Sequence, residues 1–171
     1  MSAPSATNAA AEAVDVILRD GGTLRLRPPS TADSDEVLAF FRGLSDRSLY
    51  LRFHGVPRMD ARAVEPFVDP DWIERGSLVG TLAGDDQRER IVALASYARL
   101  RDPRTAEIAF AVADEEQGRG IGTRLLEQLA SRAAELDIEQ FVAEVMATES
   151  PSHERPTVIH RTWAVIASVW A

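Results

Sequence analysis

The spacing of apolar residues changes period several times along this chain, and each change marks an element. Thr23-Leu-Arg-Leu-Arg-Pro28 alternates apolar and charged side chains, which predicts a half-exposed strand that Pro28-Pro29 ends. Ser30 and Thr31 then stand as N-caps before a helix carrying Val37, Leu38, Phe40 and Phe41. Short helices are expected around Ser45 to Arg52 and Ala61 to Val68. Two strand-like runs follow, from Ser77 to Ala83 and from Ile91 to Leu100, and the polar insert from Gly84 to Arg90 reads as the turn of a hairpin. Asp102 to Thr105 is a further turn, leading into a strand at Ala106-Glu-Ile-Ala-Phe-Ala-Val112. Beyond the glycine-rich Gln117-Gly-Arg-Gly-Ile-Gly-Thr123, Ile121, Leu125, Leu126, Leu129 and Ala133 recur at helical spacing, predicting a helix of about fifteen residues. Phe141 to Met146 reads as one more strand. An antiparallel meander followed by strand, helix and strand is a mixed α/β layout.

The two ends differ from this body. Residues 1–14 are rich in Ala and Ser and are expected to form a flexible leader, with one domain over 15–171. From Glu149 the chain holds two of its three His and two of its three Trp. That tail, 149–171, reads either as an ordinary loop with a final strand or as a replaced or truncated end.

Composition narrows the function classes. At 171 residues the chain fits one domain, and 45% hydrophobic residues suffice for a core. A net charge of −8 argues against a general nucleic-acid binder. No apolar run approaches a membrane span and the start has no hydrophobic signal core, so a soluble, cytoplasmic protein without a membrane partner is expected. With no Cys, disulfides, thiolate metal sites and cysteine nucleophiles are excluded. Every one of the nineteen basic residues is Arg. That absence of Lys reads either as codon bias or as avoidance of self-modification by a lysine chemistry.

The glycine turn carries the chemistry. A strand feeding such a turn, with a helix N-terminus behind it, presents outward N–H groups and the positive end of a helix dipole to an anion. A phosphate-binding P-loop would need Lys after the glycines, and the dinucleotide fingerprint belongs at the start of a βαβ unit; both fail here. Glu107 lies within an apolar strand, sharing a face with Ala109 and Ala111, and burial there would suit it to general-base work. The alternative is an edge-facing or ion-paired Glu. Glu144 is a second candidate. His54 reads as a surface residue, and His153 and His160 lack metal-ligand spacing, so no metal site is expected.

Ala106 to Val112 followed by Gln117-Gly-Arg-Gly-Ile-Gly122 resembles the signature segment of the GCN5-related N-acetyltransferases, Gln/Arg-x-x-Gly-x-Gly/Ala between the fourth strand and the third helix. The likeness covers Thr23 to Met146 in element order and is tight over 106–126. Ser48-Leu-Tyr-Leu-Arg-Phe53 is also similar to bacterial protein-lysine acetyltransferases. The resemblance implies a mixed sheet and acetyl-CoA as co-substrate. Backbone amides of Gln117, Gly118, Arg119, Gly120, Ile121, Gly122 and Thr123 would hold the pyrophosphate. Main-chain groups of Val112 and Ala113 would pair with the pantetheine arm, and the Arg119 and Arg124 side chains could reach phosphate. It further implies Glu107 as general base in direct transfer to an amine, preferably a protein lysine. An acyl-CoA-binding regulatory module and a small-molecule amine acetyltransferase remain alternatives. Family members usually end in an Asn-containing turn, a fourth helix and two more strands, often with a Tyr acid. Here no Tyr follows Tyr97, so the C-terminal elements are expected to be atypical.

Overall fold

The alternation at Thr23 to Arg27 folds as the sequence predicts, with Leu24 and Leu26 fully buried between exposed neighbours. The computed structural model describes residues 12–55, 57–84, 88–145 and 157–162. In it, strands β1 (Val14–Ile17), β2 (Thr23–Arg27), β3 (Arg75–Ala83), β4 (Glu89–Arg99), β5 (Thr105–Val112), β6 (Gln140–Val145) and β7 (Thr157–Thr162) form one sheet in chain order. Neighbours are antiparallel except β5 and β6, which are parallel. The mixed sheet of meander, strand, helix and strand is therefore present.

One strand goes beyond the sequence expectation. β1 has no counterpart in the sequence reading and overlaps the expected leader at Val14, which pairs with Leu26 of β2. Residues 1–11 lie outside the described ones. The hairpin signal was there in Asp20-Gly21-Gly22. Gly21 takes φ 85°, and the Gly22 N–H donates to the Asp20 carboxylate at 3.0 Å. In the tail, β7 lies antiparallel on β6, which agrees with a final strand after Glu149. Met146, His153 and the residues after 162 lie outside the described set.

Helices cover both faces. Between β2 and β3 come α1 (Ser34–Gly43), α2 (Asp46–Phe53) and α3 (Ala61–Val68), and between β5 and β6 comes α4 (Ile121–Ala134). Phe41 of α1, Phe53 of α2 and Phe67 of α3 join in one aromatic cluster, with centroids 5.3 to 6.4 Å apart. α4 buries Ile121, Leu125, Leu126, Leu129 and Ala133, the residues its period predicts. A Cβ added at Gly122 would meet the Phe110 ring at 3.0 Å and Val112 at 3.7 Å, so α4 is seated directly on β5 through that glycine. Strand alternation then puts Glu107, Ala109 and Ala111 on the other face, the one that α2 packs on. Among the described residues no helix is long and apolar enough to cross a membrane.

The chain's route from β2 into α1 is fixed by Asp33. Its carboxylate accepts from both Arg27 Nη atoms, at 2.9 and 2.7 Å, and from the Ser30 N–H at 2.7 Å. The Arg27 hydrogen bonds, then those from Ser30, hold its carboxyl below the usual carboxylate range. The stabilisation is complete above the unfolded value near pH 4 and is lost as pH falls through the lower folded value. Asp33→Asn is expected to cost about 1–2 kcal/mol at neutral pH, and that difference should shrink as pH falls through the lowered folded value. Urea unfolding of both proteins across pH 2–7 checks this; a difference that persists undiminished at pH 2 would contradict the assignment.

Candidate functional site

The sheet opens in its middle. β5 and β6 share a register from Thr105↔Gln140 to Glu107↔Val142, and then β5 runs on to Val112 and β6 to Val145 without a further register pair between them. Parity decides which groups line this opening. Leu100 and Ala113 donate to Thr105 and Val92 across β4–β5, so the odd-numbered residues of β5 spend their backbone groups on β4. The even-numbered ones turn theirs towards the opening, and Val112 is among them. Ala113, expected beside Val112 as a main-chain contact, instead donates its N–H to Val92 and accepts from the Glu116 N–H. Of that pair only Val112 faces the opening.

At the far end of β5 lies the glycine turn. Gln117 is extended, Gly118 and Gly120 take φ 78° and 81°, and α4 starts at Ile121. Those left-handed conformations suit glycine, and a Cβ built at either residue would meet nothing within 4 Å. The turn therefore rises into clear space. Gly120 caps α4 with no side-chain hydrogen bond, which leaves the first N–H groups of the helix, at Ile121, Gly122 and Thr123, to face whatever sits on the turn. This is the donor set an anion needs, so the residues fit a pyrophosphate.

The arginines do not add to it as expected. Arg119 is bound to Asp20 of the β1–β2 turn at 2.5 Å and also to Glu116. Asp20 first, then Glu116, favours its charged form. Glu116 is buried and takes Arg90 on its other oxygen. Recruiting the Arg119 guanidinium to phosphate would leave a buried carboxylate with one partner fewer, so its side chain serves as a tie to the β1–β2 hairpin. Arg124 pairs with Glu127 at 3.0 Å on the surface, a contact worth about 0–1 kcal/mol and readily exchanged.

Glu107 stands at the last β5–β6 register pair, the apex of the opening, and it is exposed. Burial was the expected route to its basicity, and the structure does not provide it: Ala109 and Ala111 share its face and are more covered, but Glu107 itself is exposed. Position, at the apex, is what recommends it. The side chain of Glu144 lies outside what is described.

α2 connects the two ends of this site, a role the sequence did not disclose. At its N-terminus Asp114 accepts from the Ser45 N–H (2.8 Å), the Ser45 hydroxyl (2.7 Å) and the Ser48 hydroxyl (2.8 Å). The Ser45 N–H first, then these hydroxyls, holds the Asp114 carboxyl below its ordinary range. The Gln117 side chain donates to the Val112 carbonyl at 3.2 Å. At the other end of α2, Arg52 Nη2 donates to Ser96 of β4 at 2.8 Å, and the guanidinium lies 4.8 and 5.1 Å from the Phe53 and Phe67 ring centres. Burial pushes Arg52 down to about 10, partly offset by the charge of Glu107. Ser45 before a helix reads only as an N-cap, and nothing local marks its partner 69 residues away.

Tyr97 cannot act as an acid here. It is buried, its hydroxyl donates to the Trp72 carbonyl at 2.8 Å, and burial raises its pKa well above the ordinary value. Among the described residues no group of three or more His, Cys, Asp or Glu could hold a metal.

Comparison with known proteins places this architecture. The model of the acetyltransferase (GNAT) family matches residues 38–154. The chain is 30% identical over 134 residues to the acetyltransferase Pat of Mycolicibacterium smegmatis, covering 78% of this chain and 39% of that protein. The chain thus spans about two fifths of the length of that curated relative. Among solved structures, the GNAT domain of S. lividans PAT superposes with a TM-score of 0.71 at 37% identity, covering 78% of each chain. A cAMP-binding acyltransferase from Mycobacterium smegmatis matches at 27% identity and a TM-score of 0.53, over 84% of this chain and 41% of that one.

Proposed function

Because the chain belongs to the acetyltransferase (GNAT) family, we propose that it transfers an acetyl group from acetyl-CoA to an amine, with a lysine side chain of another protein as the preferred acceptor. The observation that carries this reading is the mid-sheet opening, with an anion cradle at one end and a carboxylate at its apex. The acceptor class rests on the likeness to Pat and on Ser48 to Phe53. The supply of acyl-CoA makes the cytoplasm the compartment proposed.

From Glu107 to Val112, β5 spans about 17 Å, a length along which an extended arm can lie as an added strand. Residues 117–123 would hold the pyrophosphate through backbone N–H groups, with Val112 offering its N–H along the way while its carbonyl accepts from the Gln117 side chain. When bound, acetyl-CoA supplies an activated acyl group whose leaving group is a thiolate. Glu107 then takes a proton from the acceptor ammonium, directly or through water, so that nitrogen can attack with its lone pair. An N–H on the open edge of β5 would support the charge that develops on the carbonyl oxygen. Nitrogen bonds to the acyl carbon, and as the C–S bond breaks the electron pair leaves on sulfur while the second proton of the attacking nitrogen passes to that thiolate or to water, giving the neutral amide. A thiol acidic near pH 8–9 can depart in that form, so the lack of a Tyr acid after Tyr97 is tolerable.

Calorimetry tests the reading. Acetyl-CoA and CoA should bind, while acetyl-pantetheine, which lacks the pyrophosphate, should bind at least about tenfold more weakly. Gly120→Val should weaken acetyl-CoA by a similar factor, because a β-branched residue is strained at φ 81°. Failure to bind acetyl-CoA would overturn the proposal. Binding without turnover on a lysine peptide would favour an acyl-CoA-binding regulatory module, and turnover confined to free amines such as spermidine would favour a small-molecule enzyme.

A further inference from the structure

A guanidinium drawn out of water ordinarily ends against a carboxylate, because an unpaired buried charge costs several kcal/mol. Arg52 departs from that pattern. Its hydrogen-bond partner is a neutral serine hydroxyl, its plane is packed on two phenyl rings, and its Nε is buried without any partner. The carboxylate whose field it feels is Glu107. The register explains the proximity. Ser96 lies opposite Ala109 and Ala98 opposite Glu107, so the residue Arg52 grips is one diagonal step across the sheet from Glu107, about 7–8 Å away.

Resting on the reading of Glu107 as general base, we propose that Arg52 is a positioning residue, which holds the Glu107 carboxylate at the apex of the β5–β6 opening. The two partners differ in freedom. Arg52 is fixed by Ser96 and by the Phe53 and Phe67 rings, on a helix whose other end is tied down by Asp114. Glu107 is exposed on its strand, and among the described residues no ring or serine holds its carboxylate as Arg52 is held. Attraction between them therefore moves the carboxylate rather than the guanidinium. In the open site water weakens it; once thioester and amine displace that water the local dielectric falls and the attraction grows. The effect belongs to turnover and not to cofactor binding, whose groups lie at the other end of β5.

Steady-state kinetics with acetyl-CoA and a single-lysine peptide test this, using Arg52→Met, Arg52→Lys and Ser96→Ala, each in the wild-type and the Glu107→Gln background. Arg52→Met should lower kcat about ten- to hundredfold while the KM for acetyl-CoA stays within about twofold. Arg52→Lys, which keeps the charge, should recover much of that loss. In the Glu107→Gln background Arg52→Met should change kcat by less than about twofold, because the group it positions is gone. An equal loss in both backgrounds, or no loss in either, overturns the proposal. If Arg52→Met does not fold, Ser96→Ala takes its place, with a smaller loss of kcat expected only where Glu107 is present. The underlying reading fails separately, through a Glu107→Gln protein that turns over like the wild type.

Discussion

Glu107→Gln is expected to lower kcat by about 10²- to 10⁴-fold while leaving the affinity for acetyl-CoA within about twofold. The substitution keeps the shape of the side chain and removes its capacity to take a proton. Glu107 is exposed at the apex of the opening, so the amide introduces no buried unpaired group and the fold should persist. The glycine turn that would hold the cofactor begins at Gln117, the whole length of β5 away. Calorimetry and steady-state rates on the same preparations separate the two effects. A mutant that retains more than about a tenth of wild-type kcat would show that the proton leaves by another route. A mutant that loses cofactor affinity as well would mean that Glu107 touches the cofactor.

The largest effect on stability is expected at Gly76→Ala. Gly76 lies directly opposite Tyr97 on β3–β4, and an added Cβ would come within 2.1 Å of a Tyr97 ring carbon and 2.5 Å of the next. The ring has nowhere to go. Tyr97 is 2% exposed, its hydroxyl is bound to the Trp72 carbonyl, and the Trp72 and Phe141 rings flank it at 6.4 and 6.0 Å. Relief requires breaking that hydrogen bond or spreading β3 from β4. A loss of about 3 kcal/mol or more follows, which is roughly 10 °C in Tm for a chain of this size. Thermal unfolding of Gly76→Ala reads this directly, and Gly76→Ala combined with Tyr97→Leu should recover part of the loss. A Gly76→Ala protein within about 1 kcal/mol of wild type would show that the ring can move.

How far the sequence disclosed this molecule depended on how far apart the cooperating residues stand. The period of α4 and the turn before it are local, so Ile121 to Ala133 and the glycines were legible. β1 was missed because a strand of four residues, two of them exposed, gives too short a pattern to read, although Asp20-Gly21-Gly22 announced its turn. The face shared by Glu107 and the alanines was legible from alternation, but its exposure was not: alternation says which residues share a face, never what covers it. Arg119 looked like a phosphate ligand because its partner Asp20 is 99 residues away. The same distance effect hid Asp114's hold on α2. The end of the β5–β6 register at Glu107, on which the functional reading turns, is set by how far two strands twist apart and has no sequence signature.

That interrupted register has a consequence for the handling of the protein. A strand edge whose backbone groups lack a neighbour is a template for any extended chain, including a second molecule of the same protein. Most sheets guard such edges with charge, proline or a covering helix, all at the periphery. Here the edge lies inside the sheet, and on the proposed reading its natural cover is the co-substrate. Acetyl-CoA would then act as a solubilising ligand as well as a reactant, occupying the groove that would otherwise invite association between copies.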